Sequence, residues 1–478
     1  MTSAKEDSQT QLVETLVSSL QKMTYAKEES QSQLVETLES SLRKKFEKLS
    51  ADPSYSYAAS IYKVSRTLRK KNEGAYTPRL VSIGPLHHDL SQLQDMEPFK
   101  LRFTHKFLTR CGIDLKTIAE FAAKEESFVR GCYEGRVELP RNRLAEVIVL
   151  DGIFIVELFL ENYFIQLRDK YERIFDIRSC MYNDLIHDML LVENQLPMKI
   201  MESLLHFVDL SFFNEGTMVT IYDLAHKFFK NIGYTSEVPL TAFCCQARHF
   251  VEFLLFLHAP PEIHALPYAP ASEKFDYTCS VGELVKAGVR LHAREGNCLF
   301  DVSFNNGVLT IPKLTVNGST ETFFLNLIAF EQQGYYGYSS KNITSYVMLM
   351  DRFIDTSGDV DLLVKHGIIK NELARSQQVA DLFNNLHTEV NDFYFTELCG
   401  ELTTYSKSRW HQWRASWYRW SVTPMQEFGG RWDKWKQILG SEYFGNPWSV
   451  LSVIGVILIL VLTITQTVFT ILQVTSAD

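Results

Sequence analysis

The sequence predicts a mainly α protein: a large helical globular body with a small antiparallel β hairpin region, followed by one C-terminal transmembrane helix. Three observations predict it. Apolar residues recur at helical spacing through most of residues 55–296. Asn306-Gly307 sits between two short β-prone runs, a strong hairpin signal. Ser449 to Leu472 is a 24-residue run without a charge, long enough as a helix, at about 36 Å, to cross a ~30 Å hydrocarbon layer.

Size and composition support a large core. The chain has 478 residues, 46% of them apolar, a net charge of −9 and a pI near 5.9. Acidity argues against general nucleic-acid binding. The N-terminus, MTSAKEDSQTQ, lacks a basic start followed by an apolar run, so no signal peptide is expected. Eight cysteines are scattered without a C-x-x-C pair. They read as reduced thiols, with Cys244 and Cys245 buried rather than joined.

In chain order, residues 1–50 form a helical arm. Ala4 to Lys22 recurs almost unchanged as Ala26 to Lys44, an offset of 22 residues or close to six helical turns. Leu12, Leu16 and Leu20 answer Leu34, Leu38 and Leu42, a stripe suited to self-association. The body occupies residues 55–400. Glu146 to Leu160 is very apolar yet interrupted by Asp151 and Glu157, which marks a buried core helix rather than a span. His249 to Leu257 reads the same way. The β region covers 299–330, with Pro312 expected on an edge or bulged strand. Ser357 to Gly367 has a cap-like start and a glycine stop.

Residues 401–447 are rich in Trp and Arg. Trp410, Trp413, Trp417 and Trp420 would cover an arc of about 80° on a helix, and Trp432, Trp435 and Trp448 follow. These seven read as a membrane interface; packing onto the body is the other reading. Between Ser406 and Gly440 seven cations face two acids, whereas the tail, residues 473–478, has no cation. That asymmetry places the body in the cytosol and makes the bilayer a partner through residues 449–472. Asn317 and Asn342 head glycosylation triplets, relevant only if the body is exported.

Several passages resemble one plant family. In order they are IYKVSRTLR (Ile61 to Arg69), VSIGPLHH (Val81 to His88), VLDGIFIVELF (Val149 to Phe159), LLVENQLPMKIMESL (Leu190 to Leu204), NLIAFEQ (Asn326 to Gln332) and SEYFGNPWSVLSVIGVILILVLTITQT (Ser441 to Thr467). Together they are similar to the UPF0481-type proteins of domain of unknown function 247. The resemblance implies a helical plant protein with a C-terminal span and no assigned biochemistry; some grass members are linked to self-incompatibility. It carries over no catalytic residue. Where the family has Val-Pro, this chain has Val64-Ser65.

Few residues suggest chemistry. Glu193-Asn194-Gln195 is a polar cluster in an apolar run, read as a helix end before Pro197 or as a ligand pocket. Glu193 with Asp151 and Glu157 would be paired carboxylates if the fold brought them together. His87-His88-Asp89 reads as part of a turn set by Gly84-Pro85, since adjacent histidines point apart and no third ligand stands at metal spacing. Phosphate-loop, dinucleotide, nucleophile-elbow and zincin motifs are absent. No cofactor or metal is expected. The sequence therefore points to a non-enzymatic interaction protein with an unidentified protein partner. An enzyme with an unrecognised helical site, and an exported recognition protein, are the alternatives.

Overall fold

The computed structural model describes residues 33, 35–44, 59–167, 179–210, 219–230, 240–258, 279–295, 298–333, 342–386, 393–407, 463 and 466. Contacts divide the chain into two units, Met1–Val281 with Leu291–Cys399, and Gly282–Arg290 with Gly400–Asp478. The first holds nearly all described residues. In the second, residues 282–286 and 400–407 are helical.

Helix α4 organises the first unit. The preceding helices are α1 (Arg66–Lys71), α2 (Glu97–Cys111) and α3 (Leu115–Gly131); α4 itself runs Arg141–Tyr163. Pro140 stands just before its first turn, where a missing N–H costs nothing. Every residue from Leu150 to Asn162 is buried. A helix this apolar all round must be surrounded. It is enclosed by α2, α3, α6 (Met198–Leu205) and α7 (Ile221–Lys230). Phe154 meets Phe103 edge-on at 5.6 Å, and Phe159 lies 4.8 Å from Phe228 and 5.3 Å from Phe250. Each buried phenylalanine contributes roughly 1.5–3 kcal/mol. Gly152 lets α6 approach, because a Cβ there would lie 2.6 Å from Leu204 Cδ1.

Local sequence sets the boundaries. Gly112, at φ 64°, ends α2 in the left-handed conformation. Asp114 caps α3 by accepting from the Thr117 amide at 2.8 Å. Helix α5 (Ser179–Met189) ends before a turn, and α6 begins after Pro197. Helix α8 (Phe250–His258) is buried along its whole length. Of the adjacent thiols, Cys244 is buried but Cys245 is exposed, which corrects the expectation that both are inside.

After α9 (Val281–Lys286), strands β1 (Arg290–Arg294), β2 (Ser303–Asn305) and β3 (Val308–Pro312) form a sheet in the order β1-β3-β2. The β2–β3 hairpin has the expected antiparallel register, Ser303 with Thr310 and Asn305 with Val308. Asn306 and Gly307 both have positive φ, 50° and 75°, as a two-residue primed turn requires. Strand β3 is central rather than an edge; Pro312 is tolerated because it is the strand's last residue. Strand β4 (Leu314–Val316) pairs in parallel with β5 (Ile369–Asn371). The β region stops sooner than expected, since Thr320–Gln333 is helix α10. Helix α10 packs on α8 and α11 (Asn342–Phe353), and α12 (Ser357–Lys365) packs on α13 (Ser376–Asn385). At the start of α12 the Asp359 carboxylate accepts from the Thr356 N–H and hydroxyl at 2.9 and 2.8 Å, and Gly367 stops the turn at φ 71°. Helix α14 spans Thr396–Lys407.

The fold class needs one correction. It is mainly α with two small sheets, and the transmembrane helix is withdrawn from it. Among the described residues no helix is long and apolar enough to cross a membrane. The long apolar helix, α4, carries Asp151, Glu157 and Glu161, and α8 has only nine residues. Residues 449–472 lie outside the described residues except Thr463 and Gln466, and Trp410, Trp413, Trp417, Trp420, Trp432, Trp435 and Trp448 lie outside them too. Of the arm, residues 35–44 are helical and exposed throughout, Val35, Leu38 and Leu42 included.

Candidate functional site

Residues 59–90 form a strap with little regular structure beyond α1 and one 3-10 turn, Glu73–Ala75. Extended backbone buried outside a sheet leaves amide hydrogens that need acceptors. One isolated parallel bridge, Ile61 with Tyr133, supplies part of the answer. Buried side chains supply the rest. The Asp188 carboxylate accepts from the amides of Arg79, Leu80 and Val81 at 2.7–2.8 Å. Asn194 Oδ1 accepts from Ile83 at 2.7 Å, and Asp151 Oδ2 from Gly84 at 2.8 Å. Glu193 Oε1 accepts from Val64 at 2.6 Å. Gly84 has no room for a side chain: φ is 75°, and a Cβ would lie 2.5 Å from Tyr133 Oη and 2.7 Å from the Gln195 carbonyl.

The turn between α5 and α6 is tied by the same means. Gln195 Nε2 donates to the carbonyls of Met189 and Leu191 at 2.9 and 2.8 Å, while its Oε1 accepts from Phe250 at the start of α8. Asn194 Nδ2 donates to Val81 and Asp188 carbonyls. Asn326 on α10 accepts from Val192 at 3.0 Å and donates to Ala75 at 2.8 Å. Glu331 accepts from the amides of Ile343 and Thr344 at the start of α11. The polar cluster before Pro197 is thus a knot of backbone clamps.

Charge is handled in two seams. At the strap, Arg69 reaches Glu193 Oε2 at 2.6 Å. His87 Nε2 lies 3.1 Å from the same oxygen. Burial pushes the Glu193 carboxyl up, but His87, Arg69 and the Val64 amide together hold it below its ordinary value. Between α2 and α4, Lys100 pairs with Asp151 at 2.6 Å, Lys106 with Glu161 at 2.6 Å, and Arg110 with Glu157. Burial alone would lower Lys100; Asp151 and Glu97 outweigh it and hold the ammonium above its ordinary value. Burial pushes Glu157 up by more than Arg110 and Lys106 pull it down. Burial lowers His249, just before α8, to about 4 while its Nε2 bonds the Ser60 carbonyl, and burial lowers His258, at the end of α8, to about 4 as well.

The sequence candidates are therefore placed as follows. Asp151 and Glu193 both face the strap but bind different parts of it, at Gly84 and Val64. Asn194 and Gln195 flank them in the same knot. Glu157 turns instead toward α2. His87 faces Glu193, and His88 lies 3.2 Å from Arg143, so the histidines do point apart. Among the described residues no group of three His, Cys, Asp or Glu side chains is arranged to hold a metal. Asn342 is fully buried, and Asn317 is half-buried, its Oδ1 accepting from the Ser319 amide. Sequence reasoning missed Asp188, Asn326, Glu331 and the α2 cations. Lys100, Lys106 and Arg110 have the same spacing, six then four, as Asp151, Glu157 and Glu161, but the pairs formed are crossed and do not follow from it.

Residues 61–462 match the family described as plant protein of unknown function, DUF247. The chain belongs to that family. It is 25% identical over 444 residues to the UPF0481 protein At3g47200 of Arabidopsis thaliana, covering 86% of each chain. It is 22% identical over 425 residues to the putative UPF0481 protein At3g02645 of the same plant, covering 69% of this chain and 78% of the relative. No solved structure matches. In this DUF247 chain, five of the six motifs that carry the resemblance supply clamp residues or the backbone they clamp: Val64 and Arg69, Gly84 and His87, Asp151 and Glu157, Glu193 to Gln195, and Asn326 with Glu331. Where the chain departs from the family's Val-Pro, Ser65 caps α1 by accepting from the Leu68 amide at 3.3 Å.

Proposed function

We propose that this DUF247 chain is a non-enzymatic recognition module, binding a partner protein through the outer surface of its helical body. One observation supports the reading. The acid–base candidates Asp151, Glu157 and Glu193 are each held by a cation, and Asp151 and Glu193 by a backbone amide besides, which commits them to the fold. The test is affinity isolation of the tagged full chain from plant tissue, native and cross-linked, with quantitative mass spectrometry against a tag-only control. The expected result is one stoichiometric partner recovered in every preparation. Recovery of the chain alone from both extracts overturns the reading.

A second reading concerns the arm. Val35, Leu38 and Leu42 are 59%, 57% and 39% exposed on a described helix, which favours self-association of two copies through this stripe. Light scattering of the full chain is expected to report a dimer that Leu38→Glu returns to monomer. A monomeric parent chain rules it out.

A further inference from the structure

We infer that the outer face of α1 is a docking surface for an acidic peptide segment of the partner protein. The inference rests on the recognition reading and names the partner's chemistry. Residues 63–71 hold five cations, Lys63, Arg66, Arg69, Lys70 and Lys71, and no acid, in a chain of net charge −9. Arg69 is turned inward onto Glu193. Arg66, Lys70 and Lys71 are exposed, and among the described residues none of them has an ion-pair partner. The acids on the border are Glu73, exposed, and Glu321, which accepts from Asn72.

The helix's own needs do not account for this charge. Cations in a last turn complement the helix dipole, which covers Lys70 and Lys71. Arg66 is in the first turn, the unfavourable end, and its spacing of four from Lys70 adds repulsion. A six-residue helix is also far too short to persist alone. It is held by buried Leu68, by the Ser65 cap, and by Glu193 gripping both the Val64 amide and Arg69. The fold therefore uses a buried carboxylate to present a basic face whose Arg66, Lys70 and Lys71 have no ion-pair partner among the described residues.

Geometry and surroundings favour a peptide. Side chains four apart on a helix stand about 6 Å from one another, close to the roughly 6.7 Å between alternate side chains of an extended chain. Two acids separated by one residue would thus meet Arg66 and Lys70 together. A lipid surface fits less well, because the exposed residues of this stretch are Lys63, Ser65, Arg66, Thr67, Lys70 and Lys71, with no apolar side chain to enter a bilayer.

The test uses the purified full chain and fluorescein-labelled decaglutamate, with decaglutamine as the uncharged control and phosphatidylserine and phosphatidylcholine vesicles as the lipid arms. Fluorescence anisotropy is expected to show decaglutamate binding that weakens with salt, and no decaglutamine binding. The triple variant Arg66→Gln, Lys70→Gln, Lys71→Gln is expected to bind about tenfold more weakly with an unchanged melting temperature. Arg143→Gln, elsewhere on the surface, is expected to bind as the parent does. Decaglutamate binding that is absent, or equal in parent and triple variant, overturns the inference. So does vesicle binding through the same three residues that exceeds peptide binding. Because the probe is synthetic, failure to isolate a tissue partner would sink the recognition reading without altering this result.

Discussion

The strap seam and the α2–α4 seam both bury carboxylates, yet they use them differently. At the strap, Asp188, Asn194 and Glu193 accept from main-chain amides that have no sheet partner. Between α2 and α4, where each helix satisfies its own backbone, Glu157 and Glu161 pair with the side chains of Arg110 and Lys106. The electrostatics diverge accordingly: the Glu193 carboxyl is held down, whereas the Glu157 carboxyl is pushed up by burial that Arg110 and Lys106 do not fully offset. A carboxylate that serves backbone has no apolar substitute. A carboxylate that serves another side chain can be replaced together with its partner.

The sharpest way to break this contrast is Asp188→Ala. It strands three amides and removes the partner of His187 at 2.9 Å. The expected loss, roughly 3–5 kcal/mol, would be read from urea unfolding; a loss under about 1 kcal/mol would mean that water replaces the clamp. Next comes a double-mutant cycle in the helical seam. Arg110→Met alone leaves Glu157 buried and unpaired, at a cost of roughly 3 kcal/mol, whereas Arg110→Met with Glu157→Leu is expected to be within about 1 kcal/mol of the parent or more stable. Equal damage from single and double variants would erase the distinction.

Acid titration probes the strap carboxylate and a buried histidine on α8. The folded value of Glu193 lies below its unfolded one, so its contribution is present above the ordinary carboxyl range and is lost as pH falls through the folded value. The folded value of His258, about 4, lies below the ordinary 6.5, so the unfolded chain takes up its proton first and stability drops as pH falls between those values. Replacing His258 with Phe is expected to flatten that limb by on the order of 3 kcal/mol with little change above pH 7, measured as melting temperature against pH. An unaltered limb would show that His258 is not the group responsible. The smallest effect belongs to the surface: breaking the exposed Arg143–Glu146 pair by Glu146→Ala should shift stability by no more than about 0.5 kcal/mol in thermal melts.

Periodicity and turn chemistry made much of the fold legible. The α4 core helix, the Asn306-Gly307 hairpin and the stop at Gly367 follow from local rules that act within a few residues. What escaped was long-range. Nothing near Asp188 marks it as the acceptor for residues 79–81, since those partners lie more than a hundred positions earlier. The helix Thr320–Gln333 was obscured because its β-rich neighbourhood and phenylalanines favour strand, and packing on α8 and α11 decides otherwise. The clustered motifs looked like a possible site because polar residues within apolar runs look alike whether they bind a ligand or a distant amide.

The strap has a consequence for synthesis. Its Val64 amide awaits an acceptor 129 residues downstream, and Asn72 awaits Glu321, 249 residues downstream. At the usual pace of translation, about 5–20 residues per second, residues 59–90 leave the ribosome roughly 10–50 s before the last of these partners exists. The first part of the body to be made is thus fastened in two stages, most of its clamps arriving with residues 133–195 and the last with α10. A product truncated before α10 would keep the clamps from Asp151, Asp188, Glu193 and Asn194 and lack only those that α10 gives to Asn72 and Ala75.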